Sequence, residues 1–305
     1  MLKISIQTAR FARNNAELDG FLAQIKEAGI DGVDFPLYAF QNKENPRFFD
    51  KELEEILEIV RPLKEALDRH GLIVTQTHSP FPTYKMGDED FNAYQVRAHR
   101  KCCDLTRYLG CDLMVVHPAK ESLLMSAAEL KEASIELYSS LIEDAKRTGV
   151  KILLENMWSR RGAGSAIFDS TCGSAEESVD YIDTLNAIAG EEVFGYCFDV
   201  GHASLCGKHM QEFLRALGPR LKALHIHDTD RINDTHTIPY SFCTAGGLPM
   251  TDWEGMLAGL REIGYRGAIN FEAANAFNCY PKPLYPALLN MFYAIGKYFS
   301  DEIEK

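Results

Sequence analysis

Short apolar runs rich in β-branched residues alternate along this chain with longer stretches in which apolar residues recur every three or four positions. The runs are KISIQTA (3–9), GVDFPL (32–37), IVTQTHS (73–79), LMVVHPA (113–119), KILLENM (151–157), FGYCFDV (194–200), LKALHIHD (221–228) and GAINFEA (267–273). Each has the length and composition of a buried strand. Between them, Leu18, Phe21, Leu22 and Ile25 mark one helix face, as do Leu130, Ser134, Leu137, Leu141 and Ala145. Ser126 with Glu129, and Ser174 with Glu177, have the spacing of a capping box where two of these helices should begin.

Eight strand–helix units predict an α/β fold, a (β/α)8 TIM barrel spanning residues 1–305 as a single domain, because each parallel pairing needs a crossover of helix size. A doubly wound open sheet gives the same alternation, but no Gly-rich phosphate-binding turn follows the first run. In a barrel the stretches 158–175 and 229–250 emerge at the C-terminal rim, where barrel enzymes keep their active sites.

Composition narrows the partners. The net charge of -12 argues against broad attraction to nucleic acid or an anionic membrane, which leaves a small-molecule substrate as the expectation. The eight cysteines are dispersed without a C-x-x-C pair, so they read as reduced thiols of a cytoplasmic protein. The opening MLKISIQTARFARNN lacks the apolar stretch of a signal peptide, and no later segment has the length of a membrane span.

The candidate chemistry lies where the runs end. From the third run onward the C-terminal ends carry His78 (THSP), His117 (VHPA), Glu155 (LLENM), Asp199 and His202 (FDVGHA), His225 (LHIHD) and Glu272 (NFEA). A barrel brings all its strand ends onto one ring, so these side chains converge. Buried carboxylates placed together repel and lose hydration, and a divalent cation compensates both. Taken singly, His78 or His117 reads as a packed rim histidine, and a strand-end glutamate as solvated or paired with a nearby cation. Glu155, Asp199, His225 and Glu272 on four successive runs instead predict a metal site. His227 shares its strand side with His225, so either residue satisfies the pattern.

In order and placement these motifs resemble the xylose isomerase-like barrel superfamily, which holds sugar 3-epimerases, hydroxypyruvate-type and inosose-type isomerases and dehydratases, and the endonuclease IV repair nucleases. The resemblance implies metal ligands at Glu155, Asp199, His225 and Glu272, with Glu155 and Glu272 also serving as the acid–base pair. It places a substrate-contacting histidine at His202, and His78, His117 and His236 are assigned to the substrate with it. Arg161 and Arg231 are the cations expected at the substrate. The activity it implies is a metal-dependent sugar, sugar-phosphate or sugar-acid isomerase or epimerase, working by proton abstraction beside a carbonyl through an enediolate. The cofactor implied is one divalent ion, Mn²⁺ foremost, with Mg²⁺, Co²⁺ or Zn²⁺ as alternatives. The partner is a small carbohydrate, with no nucleic acid or membrane, and a homo-oligomer is compatible with it. Three rivals stand beside this reading. One is a dehydratase or lyase on a keto-sugar or inosose. Another is a zinc phosphodiesterase like endonuclease IV, whose three-zinc pattern maps onto His78, His117, Glu155, Asp199, His202, His225, Asp234, His236 and Glu272. The third is a sugar-binding barrel without catalysis, or a subunit of a larger enzyme. Two departures bear on substrate. Arg161 stands where the epimerases carry a second glutamate, which favours an anionic substrate, and YSFCTAGG lengthens the segment after DTHTIP (234–239).

Overall fold

All eight apolar runs form parallel strands of one sheet: β1 (Ile4–Gln7), β2 (Gly32–Pro36), β3 (Ile73–His78), β4 (Leu113–Val115), β5 (Lys151–Glu155), β6 (Phe194–Asp199), β7 (Leu221–His225) and β8 (Ile269–Phe271). This computed structural model describes residues 1–12, 15–43, 45–120, 125–160 and 166–305, so Arg161 lies outside the described residues. Consecutive strands pair in order, and β8 returns to β1. A parallel bridge between Ile226 and Phe271 closes β7 onto β8, with Ile226 N donating to the Asn270 carbonyl at 2.9 Å and Glu272 N to the Ile226 carbonyl at 3.0 Å. The result is the (β/α)8 barrel.

Helices wrap the sheet because their apolar faces match it. Leu18, Phe21, Leu22 and Ile25 are buried in the core shared by helices and strands. The face carrying Leu130 to Ala145 is buried too, but it is split between helices Ala127–Ser139 and Ile142–Thr148. At the break the Ser140 hydroxyl donates to the Leu137 carbonyl, a local bond that competes with helix continuation. Ser126 and Glu129 form the complete capping box. Ser174 caps its helix through Glu177 N, while the Glu177 carboxylate turns to the backbone of Cys172 and Gly173 instead of closing the box.

Period-two alternation sets what points into the barrel. Val115, Leu153, Cys197 and Ala223, each two residues before a candidate site residue, form a small apolar cluster of their own across β4 to β7. On the opposite side the equivalent layer is polar. Ser5 donates to Asn270 at 2.8 Å, while Gln76 and Asn270 donate to Asp34. Two bulges fix who faces whom. Thr75 is the extra residue that sets Asp34 opposite Gln76, and Lys222 is the one that sets Asp199 opposite His225. Among the described residues no helix is long and apolar enough to cross a membrane.

Candidate metal centre and active site

Residues at the strand ends form the floor of a cavity of about 360 Å³ at the C-terminal rim, with Glu155, His78, His117, His202, Asp234, His236 and Glu272 on its lining. The end of β6 answers why FDVGHA has its spacing. Asp199 is the N-cap of helix Val200–Leu205, and its Oδ1 accepts from His202 N at 2.6 Å. Asn156 clamps that turn to β5 through two reciprocal bonds, Nδ2 to the Asp199 carbonyl and Asp199 N to Oδ1, both 2.8 Å. Gly201 is required between them, since a Cβ there would come within 1.9 Å of the His227 ring.

At the centre, His225 Nδ1 lies 3.3 Å from Glu155 Oε2, 3.3 Å from Glu272 Oε2 and 4.0 Å from Asp199 Oδ2. All four residues are buried, yet among the described residues Glu155 Oε2 and both ring nitrogens of His225 lack a hydrogen-bond partner. Burial raises the proton affinity of Glu272, and Glu155 and Asp199 add to that effect. Glu155 goes the other way, since His225 and His117 outweigh its burial and hold it well below the usual carboxylate range. Burial disfavours a charged His225, but Cys197, Glu272 and Glu155 overcome it and hold the imidazole well above its ordinary range. The field that draws a proton to this ring is the field a divalent cation would neutralise. Orphaned donor atoms and a set of three carboxylates with one imidazole therefore fit a hard divalent ion. His227 belongs to a different group. Its Nε2 lies 3.1 Å from Asp199 Oδ1 and 3.6 Å from Asp234 Oδ1, and its ring stacks on His236 at 4.0 Å.

Two further groups flank the centre. His78 Nε2 and His117 Nε2 approach Glu155 Oε2 at 3.8 and 3.2 Å. On the other side His202 Nε2 and His236 Nε2 lie 3.3 and 3.1 Å from Asp234 Oδ2. The Nδ1 atoms of His78, His202 and His236 are tied to the backbone carbonyls of Ser79, Asn156 and Glu272 at 2.8–2.9 Å. Donation to a carbonyl leaves Nε2 of His78 with its lone pair toward the cavity. Burial of His202 and His236 is outweighed by Asp199 and Asp234 around the first and by Glu272 and Asp234 around the second. These carboxylates raise the two pKa values to about 9 and about 10 and draw to each Nε2 a proton that a bound cation would replace.

Asp234 and His236 arrive on the long segment after β7, which Asp228 anchors. This buried carboxylate accepts from Thr229 N (2.9 Å), Thr251 Oγ1 (2.6 Å) and Phe242 N (3.1 Å). His236 itself has φ 45°, a left-handed conformation that costs a non-glycine residue about 1–3 kcal/mol and is held by its bond to Glu272. The cavity wall is aromatic. Tyr38 packs edge-on against Phe81 at 5.0 Å, and Trp158, from the ribbon of Trp158–Arg160 and Ile167–Asp169, donates to Asp234 at 3.3 Å.

Of the cations expected at the substrate, Arg161 lies outside the described residues and Arg231 is not on the cavity lining. Arg160, the residue before Arg161, donates to the Ile232 carbonyl. Arg231 is exposed, has a left-handed backbone (φ 58°) and lines a separate hollow with Tyr240 and Trp253. Sequence reasoning passed over Gln7, whose amide donates to Glu272 Oε1 at 2.5 Å, and over Asn156 and Asp228. Gln7 ends its strand as the others do and was legible by that rule. Asn156 and Asp228 act through backbone groups, which no side-chain pattern displays.

A family model described as the xylose isomerase-like TIM barrel matches residues 22–294. The chain is 28% identical over 222 residues to the uncharacterized protein MJ1311 of Methanocaldococcus jannaschii, 71% of this chain and 69% of that protein. It is 24% identical over 169 residues to inosose isomerase of Bacillus subtilis, 54% of each. Among solved structures, an L-ribulose 3-epimerase superposes with a TM-score of 0.72 at 18% identity, covering 99% of this chain and 96% of that one.

Proposed function

The chain belongs to the xylose isomerase-like TIM barrel family, and from that premise and the site's geometry we propose that it is a metal-dependent sugar isomerase or epimerase. The observation that carries this reading is the unpartnered His225 Nδ1 facing Glu155, Glu272 and Asp199 beneath the cavity. Those four residues would hold one divalent ion, Mn²⁺ foremost. Bound there, the ion supplies Lewis-acid polarisation of a substrate carbonyl and its neighbouring hydroxyl.

The chain's own residues do the proton work. Glu155 and Glu272 both reach the cavity lining from strands β5 and β8, so a substrate on the floor has a carboxyl group at either side. One removes the proton beside the carbonyl and the other returns it. Return to the opposite face inverts the centre, and return to the neighbouring carbon moves the carbonyl. Gln7 fixes Glu272 through Oε1 and leaves Oε2, 3.3 Å from His225 Nδ1, directed at the ion and the substrate. His202 lines the cavity with its Nε2 3.3 Å from Asp234, where the ring N–H can be shared with a substrate oxygen. Tyr38, Phe81 and Trp158 give the sugar an apolar wall and displace water from it. The names of the inosose isomerase relative and the epimerase neighbour agree with this reaction class. A small carbohydrate substrate follows from it.

A second reading has an observation of its own. The groups His78, His117, Glu155 and His202, His227, Asp234, His236 are each compact enough to hold an ion beside the central one. Three ions held there would suit phosphodiester hydrolysis, for which they would supply Lewis-acid stabilisation of the charge that develops on the attacking and leaving oxygens. Metal content per chain separates the readings, since the isomerase needs one ion and the phosphodiesterase three. An isomerised sugar formed only with the single-ion protein supports the first. Cleavage of an abasic-site DNA by a three-ion protein supports the second.

A further inference from the structure

Beneath the proposed metal ligands, inside the barrel, Asp34 is fully buried on β2, where a cation-free hydrophobic interior should exclude a carboxylate. Its Oδ2 accepts from Gln76 Nε2 at 3.2 Å and Asn270 Nδ2 at 3.1 Å, and it lies 3.4 Å from His225 Nε2, close enough for a small ring rotation to align the N–H, which has no other hydrogen-bond partner among the described residues. The same two amides also donate to the Leu224 carbonyl, at 3.4 and 3.2 Å, directly before His225. No lysine or arginine appears among these contacts. The strand bulge at Thr75 is what brings Asp34 level with Gln76. Sequence, bulge and two amides therefore combine to hold one carboxylate oxygen against the far side of the His225 ring.

We infer that Asp34 is a positioning residue for His225: it keeps the ring proton on Nε2 and so presents the Nδ1 lone pair to the ion held with Glu155, Asp199 and Glu272. This rests on the metal reading of the site. The physical reason is that an imidazole has two tautomers and two ring orientations, and only one combination ligates through Nδ1. A carboxylate behind the ring selects it and increases the ligand's basicity. With Nδ1 protonated instead, the ring would direct a donor into the place of the ion. The Gln76 and Asn270 amides hold Asp34 in turn, and Ser5 fixes Asn270 through its Oδ1 at 2.8 Å.

The test measures Mn²⁺ binding to the full chain by titration calorimetry, and the tautomer of His225 by ¹⁵N NMR of the protein loaded with diamagnetic Mg²⁺ or Zn²⁺. The wild-type protein is expected to show His225 protonated at Nε2 only. Asp34→Asn keeps the shape but removes the charge, and it is expected to weaken Mn²⁺ binding by about 10- to 100-fold. Asp34→Glu should recover part of that loss. Wild-type protein with His225 protonated at Nδ1, or Asp34→Asn protein with wild-type affinity, overturns the inference even if a variant folds poorly, because the first reading needs no variant. Failure of the wild type to bind any of these ions overturns the underlying metal site as well, and that outcome is distinct from an Asp34 variant that binds normally.

Discussion

His78 Nε2 and His117 Nε2 face each other at 3.0 Å, while the Nδ1 of His78 is engaged by the Ser79 carbonyl at 2.9 Å. His78 therefore offers a lone pair, and His117 supplies the shared proton unless a cation lies between them. Burial and the charge of His117 both hold His78 well below its ordinary proton affinity, so His78 stays neutral. Under the single-ion reading the pair receives a substrate hydroxyl. His117→Asn is then expected to keep one ion per chain and to lower kcat/KM by about tenfold, the value of one lost hydrogen bond to substrate. Elemental analysis checks it, and a drop from three ions to two would favour the phosphodiesterase.

Glu272→Gln tests the acid–base pair. The amide keeps one oxygen with which to coordinate weakly, but it cannot take up a proton. The variant should retain a measurable fraction of the metal while turnover falls by about 10²-fold or more. Paired metal analysis and activity assays are the measurement, and turnover near wild type removes Glu272 from the mechanism.

How much of this was legible follows from the physics of each feature. The barrel and the strand-end residues are written in side-chain periodicity, which is why Glu155, Asp199, His225 and Glu272 come together as the spacing predicts. The choice between His225 and His227 was not legible. Both share one side of the strand, and the Lys222 bulge that sets Asp199 opposite His225 leaves no mark in the sequence. Asp34 was missed because GVDFPL reads as a buried apolar strand, and only the pairing of β2 with β3 reveals the amides that satisfy it. Arg231, expected at the substrate, lies on the long segment after β7 and lines a separate hollow.

The anchor of that segment gives a prediction on stability and activity together. Asp228→Ala leaves three donors without their acceptor, which costs about 3 kcal/mol or more. Because Asp234 and His236 ride on the same segment, kcat/KM should fall as well, and at temperatures well below the lowered Tm. Calorimetry with activity at 25 °C checks this. An unchanged kcat/KM would show that the loop is held by its other bonds.

His99 predicts an acid sensitivity. Its ring is fully buried without a hydrogen-bond partner among the described residues, and burial holds its pKa down at about 3. The unfolded chain takes up that proton near pH 6.5. Between about pH 6.5 and 3 the unfolded state binds more protons, so this group's contribution is intact above pH 6.5 and is lost as the pH falls. The stability difference between His99→Leu and wild type should therefore move in favour of the variant on acidification. Denaturation curves of both proteins at pH 7, 5 and 4 measure it, and a difference independent of pH contradicts it.

The central claim is that chemistry begins with removal of a proton beside a carbonyl. The most direct measurement incubates Mn²⁺-loaded protein in D₂O with a panel of ketoses, their phosphates and keto-acids, and reads deuterium at each carbon by NMR and mass spectrometry. The account predicts deuterium on the reacting carbon of one class of sugar, with epimer or isomer formed and no other change of formula, and no exchange with Glu272→Gln. Conversion of a sugar without exchange, or release of water from it, would contradict the account, as would an inert panel together with cleavage of abasic-site DNA.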